Sequence, residues 1–506
     1  MKSISKNGLR NIRATSIDFG NNEGKRDSLE RYFYDIGLID QLDNNKKTLI
    51  IGRKGTGKTA LATHFTDLAQ RSPVKFSSVL SFRKIPIALL ESLENKDFKT
   101  SGRYVALWKL IVLVELAKLV IQNESLDPDI YNRLKSLVGC ISPSLHSDPS
   151  SYLKSVTKGT FKVDAKIIGG ESEKSTGNEQ VDLAVYIDSL QQLLISGVNY
   201  SDTYSVILDE LDDSYDTDKE SPNYFDLITA LFKTASDLNS EFWQDRRHLN
   251  VFVALRDDIY DLIDFSDKNK WDDSAIRLNW MPSETQKAHE TDLYRMINLR
   301  IGASYEEPSK PDVNYWDLAF EHGFVTGRLS SFKYILSRSL YRPRDIIEYC
   351  KQVKEAAKYD KPEKFSKKHV IKAEIGYSAW LQRELIDELK ARLPERRQIF
   401  KAFERLGKVS FGIDEINREF VKIKELQNKS VKDILSILFE FSVIGMFDLD
   451  DEPPVFRYRN PYRKFETGKK YSIHYGLRAA LRLGGSRAVN RSFSKSTPSR
   501  KPPNRG

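Results

Sequence analysis

Eight consecutive residues constrain this chain more than any others: Gly52-Arg53-Lys54-Gly55-Thr56-Gly57-Lys58-Thr59. They fit the spacing G-x-x-x-x-G-K-[ST]. Glycines at such positions let backbone N–H groups turn inward and approach phosphate oxygens closely. The lysine after the last glycine is a fixed cation for β- and γ-phosphates, and the next hydroxyl suits Mg²⁺. The helix after the loop aims its N-terminus at the same anion. Gly52, Arg53, Lys54, Gly55, Thr56, Gly57, Lys58, Thr59 and Ala60 are therefore the candidate phosphate contacts, with ATP and Mg²⁺ as the expected ligands. The flanks agree. Residues 48–51 form a short apolar run that suits a buried parallel strand. Leu61, Phe65 and Leu68 come next at helical spacing.

At 506 residues the chain has room for two or three domains. Its two cysteines, Cys140 and Cys350, lie far apart. A disulfide framework or structural zinc is not expected, and a reducing cytosol is the natural compartment. The N-terminal stretch MKSISKNGLRNIR is polar, so a secretory leader is not expected. The most apolar run, 105–121, is interrupted by Lys109, Glu115 and Lys118 and reads as a buried helix rather than a membrane span. The formal net charge of +9 is unevenly placed. Residues 455–506 carry fourteen Lys/Arg against the single acid Glu466, or +13, which leaves −4 for everything before them.

The second nucleotide motif begins at Tyr204, in YSVILDELDDSYD. An apolar strand over 205–208 ends in Asp209, which would hold Mg²⁺ beside Thr59. Glu210 and Asp212 compete for the role of orienting the attacking water, with Glu210 slightly favoured. A further apolar strand, 251–255, ends in Arg256. In open α/β sheets ligands bind at that edge, so Arg256 is a candidate γ-phosphate sensor. The alternative is an ion pair with Asp257, Asp258, Asp261 or Asp264. A strand over 275–280 and a helix carrying Leu293, Met296, Ile297 and Arg300 continue an alternation that argues for a mainly parallel sheet covered on both faces.

Between the two motifs, 71–200 reads as a long insertion, with a strand-like segment at 161–167 and a polar loop at 169–180. Ahead of the loop, Asp18-Phe19-Gly20 and Leu29, Tyr32, Phe33, Ile36 and Leu38 read as a lead-in that packs either by an adenine or simply on the core. Residues 316–357 read as all-helical. Within them Arg342-Pro343-Arg344-Asp345 begins a helix with proline in its first turn. Arg344 is a candidate nucleotide contact, or else pairs with Asp345 or Glu348.

The remainder reads as helix (396–406), short strand (409–411), helix (413–420) and helix (431–441). A two-stranded wing comes after them, pairing 445–449 with 455–458 around an acidic tip at 450–454. This is a winged helix. Its third helix exposes only Lys429, Lys432 and Ser436, which favours a protein contact. The cations after the wing, Arg457, Arg459, Arg463, Lys464, Lys469 and Lys470, interleave with Tyr458, Tyr462 and Tyr471 and suit sequence-independent nucleic-acid contact. Residues 484–506 are rich in Ser, Pro, Arg and Lys and are expected to be disordered.

The predicted fold class is thus α/β: a P-loop NTPase core with a mainly parallel sheet, a helical lid, and a C-terminal winged-helix domain with a basic tail. The expected boundaries are 1–46 for the lead-in, 47–305 for the core with its insertion at about 71–200, 306–392 for the lid, 393–483 for the winged helix and 484–506 for the tail. No H-E-x-x-H, no G-x-S-x-G and no Cys/His cluster is present, so no second catalytic site is expected.

Taken together, FG near the start, LIIGRKGTGKT, VILDELDD, VFVALRDDIYD, YRPRDIIEYC and LFEFSVIGMFD resemble a family of bacterial P-loop ATPases related to the STAND and AAA+ classes, over residues 18–483. The resemblance implies a cytoplasmic ATP-hydrolysing switch, oligomeric and without a membrane segment, from mobile or antiphage-defence loci. On that reading Lys58, Glu210 or Asp212, and Arg256 carry the chemistry, Thr59 and Asp209 hold Mg²⁺, and Arg344 touches the nucleotide. A nucleotide-gated sensor with little turnover, acting through a protein partner, is the alternative.

Overall fold

The structure is a computed structural model and describes residues 12–43, 47–82, 100–142, 144–156, 161–164, 178–181, 183–214, 224–263, 268–283, 286–306, 308–449 and 452–483. The chain divides into two compact units, one formed by residues 35–279 and the other by 1–34 with 280–506. The sequence reading drew the core from 47 to 305. The units divide instead at 34/35 and 279/280.

The first unit is built on five parallel strands: β1 (Leu49–Ile51), β2 (Lys75–Ser81), β5 (Thr203–Asp209), β6 (His248–Leu255) and β7 (Ala275–Arg277), in the order β2-β5-β6-β1-β7. Strands β3 (Phe161–Asp164) and β4 (Asn178–Val181) form a separate antiparallel pair. Residues 178–180, read from sequence as loop, therefore belong to a strand, and 165–177 lie outside the described residues. The central strands are short apolar runs buried on both faces, as a parallel sheet requires.

The strand ends are aligned by register. Ile51 is level with Leu255, Leu208 with Val253, and Ser81 with Asp209. The residues leaving β1, β2, β5 and β6 therefore emerge along one sheet edge.

Helix α1 (Lys58–Ala69) covers the face that carries Phe252, and Phe65 meets that ring edge-on at 6.1 Å. The opposite face, with Leu49, Ile51, Val206, Leu208, Val251 and Val253, lies in the main core cluster. That cluster includes α2 (Thr100–Val120), α3 (Pro128–Ile141), α4 (Leu183–Gly197) and α5 (Tyr224–Gln244). The apolar run at 105–121 is thus a core helix. The Trp108 indole N–H donates to the Leu227 carbonyl at 2.9 Å, which satisfies its one polar atom inside the core. Among the described residues no helix is long and apolar enough to cross a membrane.

The expected insertion needs correction. β2, inside 71–200, is a strand of the main sheet, and α2 and α4 are its cover. The mixed sequence of β2, with Lys75, Ser77 and Ser78 among its apolar residues, hid an edge strand that is only partly buried. Asn239 of α5 locks helix to sheet. Its amide donates to Thr48 Oγ1 at 3.0 Å and to the Val251 carbonyl at 2.9 Å, and its oxygen accepts from Val251 N–H at 2.8 Å. Helix α6 (Asp257–Leu262) leaves the end of β6 directly.

In the second unit, α7 (Asp292–Tyr305), α8 (Ser331–Arg338), α9 (Pro343–Ala356) and α10 (Lys367–Glu388) form a helical body. A small antiparallel hairpin, β8 (Phe324–Thr326) with β9 (Leu329–Ser330), interrupts the stretch read as all-helical. The N-terminal segment is tied to this body. Arg300 of α7 pairs with Asp27 at 2.5 Å and donates to the Phe19 carbonyl at 3.0 Å, and Lys354 of α9 donates to the Ile17 carbonyl at 2.7 Å.

The chain then forms α11 (Arg396–Leu406), β10 (Ser410–Phe411), α12 (Ile413–Phe420), α13 (Val431–Glu440), β11 (Ile444–Met446) and β12 (Tyr471–Ile473). The three strands make an antiparallel sheet in the order β10-β12-β11. The partner of β11 is β12, with Gly445 opposite Ser472, and not the predicted 455–458 segment. That segment makes a single bridge, Met446 to Val455. Pro453 and Pro454 cannot donate to a ladder, and Phe456 and Tyr458 turn inward and are buried.

Candidate phosphate-binding site

The loop between β1 and α1 is held by its own backbone. Gly57, at the N-cap of α1, has φ +105°, where a side chain would be strained. At Gly52 an added Cβ would lie 2.6 Å from Thr56 Oγ1 and 3.1 Å from Leu278 Cβ. Thr56 closes the turn, its hydroxyl donating to the Arg53 carbonyl at 2.8 Å. The Lys58 ammonium is buried and donates to the Gly52 carbonyl at 2.7 Å and the Arg53 carbonyl at 3.2 Å. Burial lowers its pKa, opposed by the charges of Asp212, Asp209 and Asp257.

Those acids come from neighbouring strand ends. Asp209, the last residue of β5, is 2 % exposed. Burial raises its carboxyl, while hydrogen bonds from the Thr59 side chain and the Glu210 backbone act to lower it. Its Oδ2 receives no hydrogen bond. Glu210 adopts φ +64°, which turns the chain off the sheet edge into the short helical turn Leu211–Ser214, where Asp212 sits. Sequence reasoning missed Ser81, whose hydroxyl donates to Glu210 Oε2. The contact arises from the level registration of β2 with β5, which a motif does not encode.

Arg256, at the end of β6, is held by Asp258 in a two-pronged pair: Nε to Oδ1 at 2.9 Å and Nη2 to Oδ2 at 2.6 Å. Its Nη1 stands 3.6 Å from Asp212 Oδ2. Of the acids weighed for an ion pair, Asp258 is paired with it, and Asp264 lies outside the described residues. Asp212, weighed for a different role, is a second partner. Asp257 was also missed as part of the site. Burial raises its carboxyl, opposed by the nearby charges of Arg53 and Lys58. The RDD phrase carried that signal, since an acid directly after a strand end starts a helix beside the loop.

The residues fit a magnesium-bound nucleoside triphosphate. The loop offers amides and a lysine. Asp209 offers an unpartnered buried oxygen next to the Thr59 hydroxyl, as a divalent cation requires.

Arg342 and Arg344, in the second unit, have different surroundings. Arg342 is 1 % exposed and bonds Asp345 at 3.0 Å and Glu388 at 2.6 Å. Arg344 pairs with Glu384 of α10 at 3.0 Å, neither with Asp345 nor with Glu348. The RPRD phrase thus contains one interior arginine and one part-exposed one.

The cations after β11 also divide. Arg459 lies over the rings of Tyr341 and Tyr458 and is half-buried, and Arg463 pairs with Asp448 and with Glu466. Tyr462, at 93 %, Lys464 and Lys470 are exposed. Lys429 of the segment before α13 is paired with Glu395 at 2.8 Å, while Lys432 is exposed. The acidic tip residues Asp450 and Asp451 and the basic tail 484–506 lie outside the described residues.

Residues 291–386, spanning α7 to α10, match the family model of the FunZ-associated C-terminal helical domain. Over 493 residues the chain is 22 % identical to the putative transposon gamma-delta 80.3 kDa protein of Escherichia coli (strain K12), covering 92 % of this chain and 67 % of that one. Among solved structures it is similar to the ORC2 protein of Aeropyrum pernix in its ADPNP and ADP complexes, with a TM-score of 0.44 and 12 % identity over 94 % of this chain and 96 % of that one. The ORC1 protein of Aeropyrum pernix in complex with DNA gives a TM-score of 0.37 at 11 % identity, over 88 % and 90 % of the two chains.

Proposed function

We propose that this chain is an ATP-binding and ATP-hydrolysing switch of the STAND/AAA+ kind. The observation that carries the reading is convergence. The phosphate loop with Thr59, Asp209, Glu210 and Arg256 come from strand ends on one sheet edge. One strand, β6, separates the loop strand β1 from the acid strand β5 and delivers Arg256 between them.

Bound Mg²⁺ would neutralise phosphate charge, and Thr59 and Asp209 are the residues to hold it. The loop amides and the first turn of α1 would bind the phosphates. Lys58 would exchange its two carbonyl partners for the β- and γ-oxygens. Glu210, at the sheet edge and in contact with Ser81, would orient the attacking water and take its proton. Arg256 would contact the γ-phosphate and so distinguish ATP from ADP. Arg344 is the corresponding candidate in the helical unit.

The segment from α11 to β12 has the element order of a winged helix, and its exposed Lys432, Tyr462, Lys464 and Lys470 suit weak, sequence-independent nucleic-acid contact. A mobile-element or antiphage setting is part of this reading, and the likeness to a putative transposon protein supports the mobile-element half of it. A cytoplasmic homo-oligomer is the expected assembly.

The nucleotide-gated sensor is the second reading. It is favoured by one observation: Lys58, Glu210 and Arg256 each engage protein partners. ATP turnover by the purified protein, with and without added DNA and RNA, tests the two. Steady turnover supports the first. Tight ATP binding with turnover slower than about one per hour under every condition supports the second.

A further inference from the structure

Asp212 and Glu210 are two residues apart and compete for one catalytic role by sequence alone, yet their side chains face different partners. Glu210 accepts from Ser81. Asp212 stands 3.6 Å from Arg256 Nη1, and this pair is about four-fifths buried on both sides, at 14 % and 22 % side-chain exposure. The rest of the guanidinium, Nε and Nη2, is fixed by Asp258 at the first turn of α6. The arginine is therefore anchored through two nitrogens and offers its third toward Asp212. Lys58 also feels Asp212, the largest of the charges that act on it.

We infer that Asp212 is a positioning residue that competes with the γ-phosphate for Arg256. When the third phosphate is present, Nη1 exchanges a carboxylate for a phosphoryl oxygen while Asp258 keeps the side chain in place. ADP offers no such oxygen, so the Arg256–Asp212 pair persists. Nucleotide state is thereby written into an ion pair between the ends of β5 and β6. Breaking that pair removes one tie on the Leu211–Ser214 turn, whose Leu211 carbonyl still accepts from the Tyr224 hydroxyl of α5 at 3.1 Å. At 3.6 Å the Nη1–Asp212 contact is longer than a hydrogen bond, so the contact given up is weaker than the two bonds that Asp258 keeps. The inference rests on the proposed ATP site.

The test measures ATP and ADP dissociation constants, with Mg²⁺, for the full chain and for Asp212→Asn, Asp212→Ser, Arg256→Gln and the Asp212→Asn/Arg256→Gln double variant. Removing the competitor is expected to raise the preference for ATP over ADP about five- to tenfold in both Asp212 variants. Arg256→Gln is expected to abolish the preference, and the double variant to match it. Hydrolysis at saturating ATP is expected to fall less than tenfold in Asp212→Asn, whereas loss of a general base costs about 10² or more. Equal tightening of both nucleotides would mean that Asp212 acts only on Lys58 and would overturn the inference. So would a ratio change that survives in the Arg256→Gln background, or a 10²-fold loss of turnover in Asp212→Asn. If the wild-type protein binds no ATP, or binds it without need of Lys58, the ATP reading itself fails. If binding depends on Lys58 but the ATP:ADP ratio ignores Asp212, this inference alone fails.

Discussion

Truncating Arg342 should destabilise the helical unit far more than truncating Arg344, although the two are neighbours in one phrase. Arg342 is 1 % exposed, with Nε 3.0 Å from Asp345 Oδ1, Nη2 2.9 Å from the same oxygen and Nη1 2.6 Å from Glu388 Oε1. Asp345 and Glu388 are themselves buried, at 0 % and 4 %. Those two carboxylates hold Arg342 firmly protonated despite its burial. Alanine at 342 removes the guanidinium that these two buried carboxylates share. Breaking a buried pair in this way costs about 3–5 kcal/mol. At roughly 2–4 °C per kcal/mol for a unit of this size, the melting temperature should fall by about 6–20 °C. Arg344 and Glu384 are about one-fifth exposed, at 22 % and 20 %. A partly solvated pair is worth about 0.2–1 kcal/mol, so Arg344→Ala should lower the melting temperature by at most about 4 °C. Thermal unfolding monitored by near-ultraviolet circular dichroism compares the two. Equal shifts, or a larger one for Arg344→Ala, would refute the division of the phrase into an interior and a surface arginine.

Three further outcomes are expected at the other sites. Glu210→Gln should bind Mg·ATP yet hydrolyse it slower by a factor on the order of 10² or more, read by single-turnover kinetics; normal turnover would remove Glu210 from the mechanism. Arg344→Ala should weaken ATP binding more than ADP binding if its phrase reads the γ-phosphate, and fluorescent-analogue titration with both nucleotides would expose an equal loss. Binding to duplex DNA of arbitrary sequence should weaken steeply with salt. Replacing exposed Lys464 and Lys470 should make the log-log slope shallower by up to ~0.9 per lost phosphate contact, whereas Arg459→Gln should act mainly on stability; an anisotropy titration that finds no binding at low salt would leave α11–β12 as a protein-contact domain.

The features legible in the sequence were contiguous. The phosphate loop needs eight adjacent residues, and each central parallel strand was an apolar run with its functional residue next in line. The hidden features depend on register. Ser81 reaches Glu210 only because β2 lies beside β5 with Ser81 level with Asp209. β2 itself has polar residues on its partly exposed face, so it did not read as a strand. Arg256 and Asp212 meet because β6 and β5 are adjacent, although forty-four positions separate them. Glu384, the partner of Arg344, lies one helix away. The wing was misread for a local reason: an apolar-alternating segment, 455–458, stood where a strand was wanted. Two preceding prolines and the inward turn of Phe456 and Tyr458 send it into the core instead, and the sheet waits for Tyr471.

The most direct test is Mg·ATP binding by the purified protein and by its Lys58→Ala variant, measured by isothermal titration calorimetry. Lys58 is the cation that the loop itself fixes at its centre, bonded to the Gly52 and Arg53 carbonyls. The account predicts saturable binding by the wild-type protein, lost with EDTA and lost in Lys58→Ala while the variant's circular dichroism spectrum stays native. Equal affinity in the two proteins would contradict it.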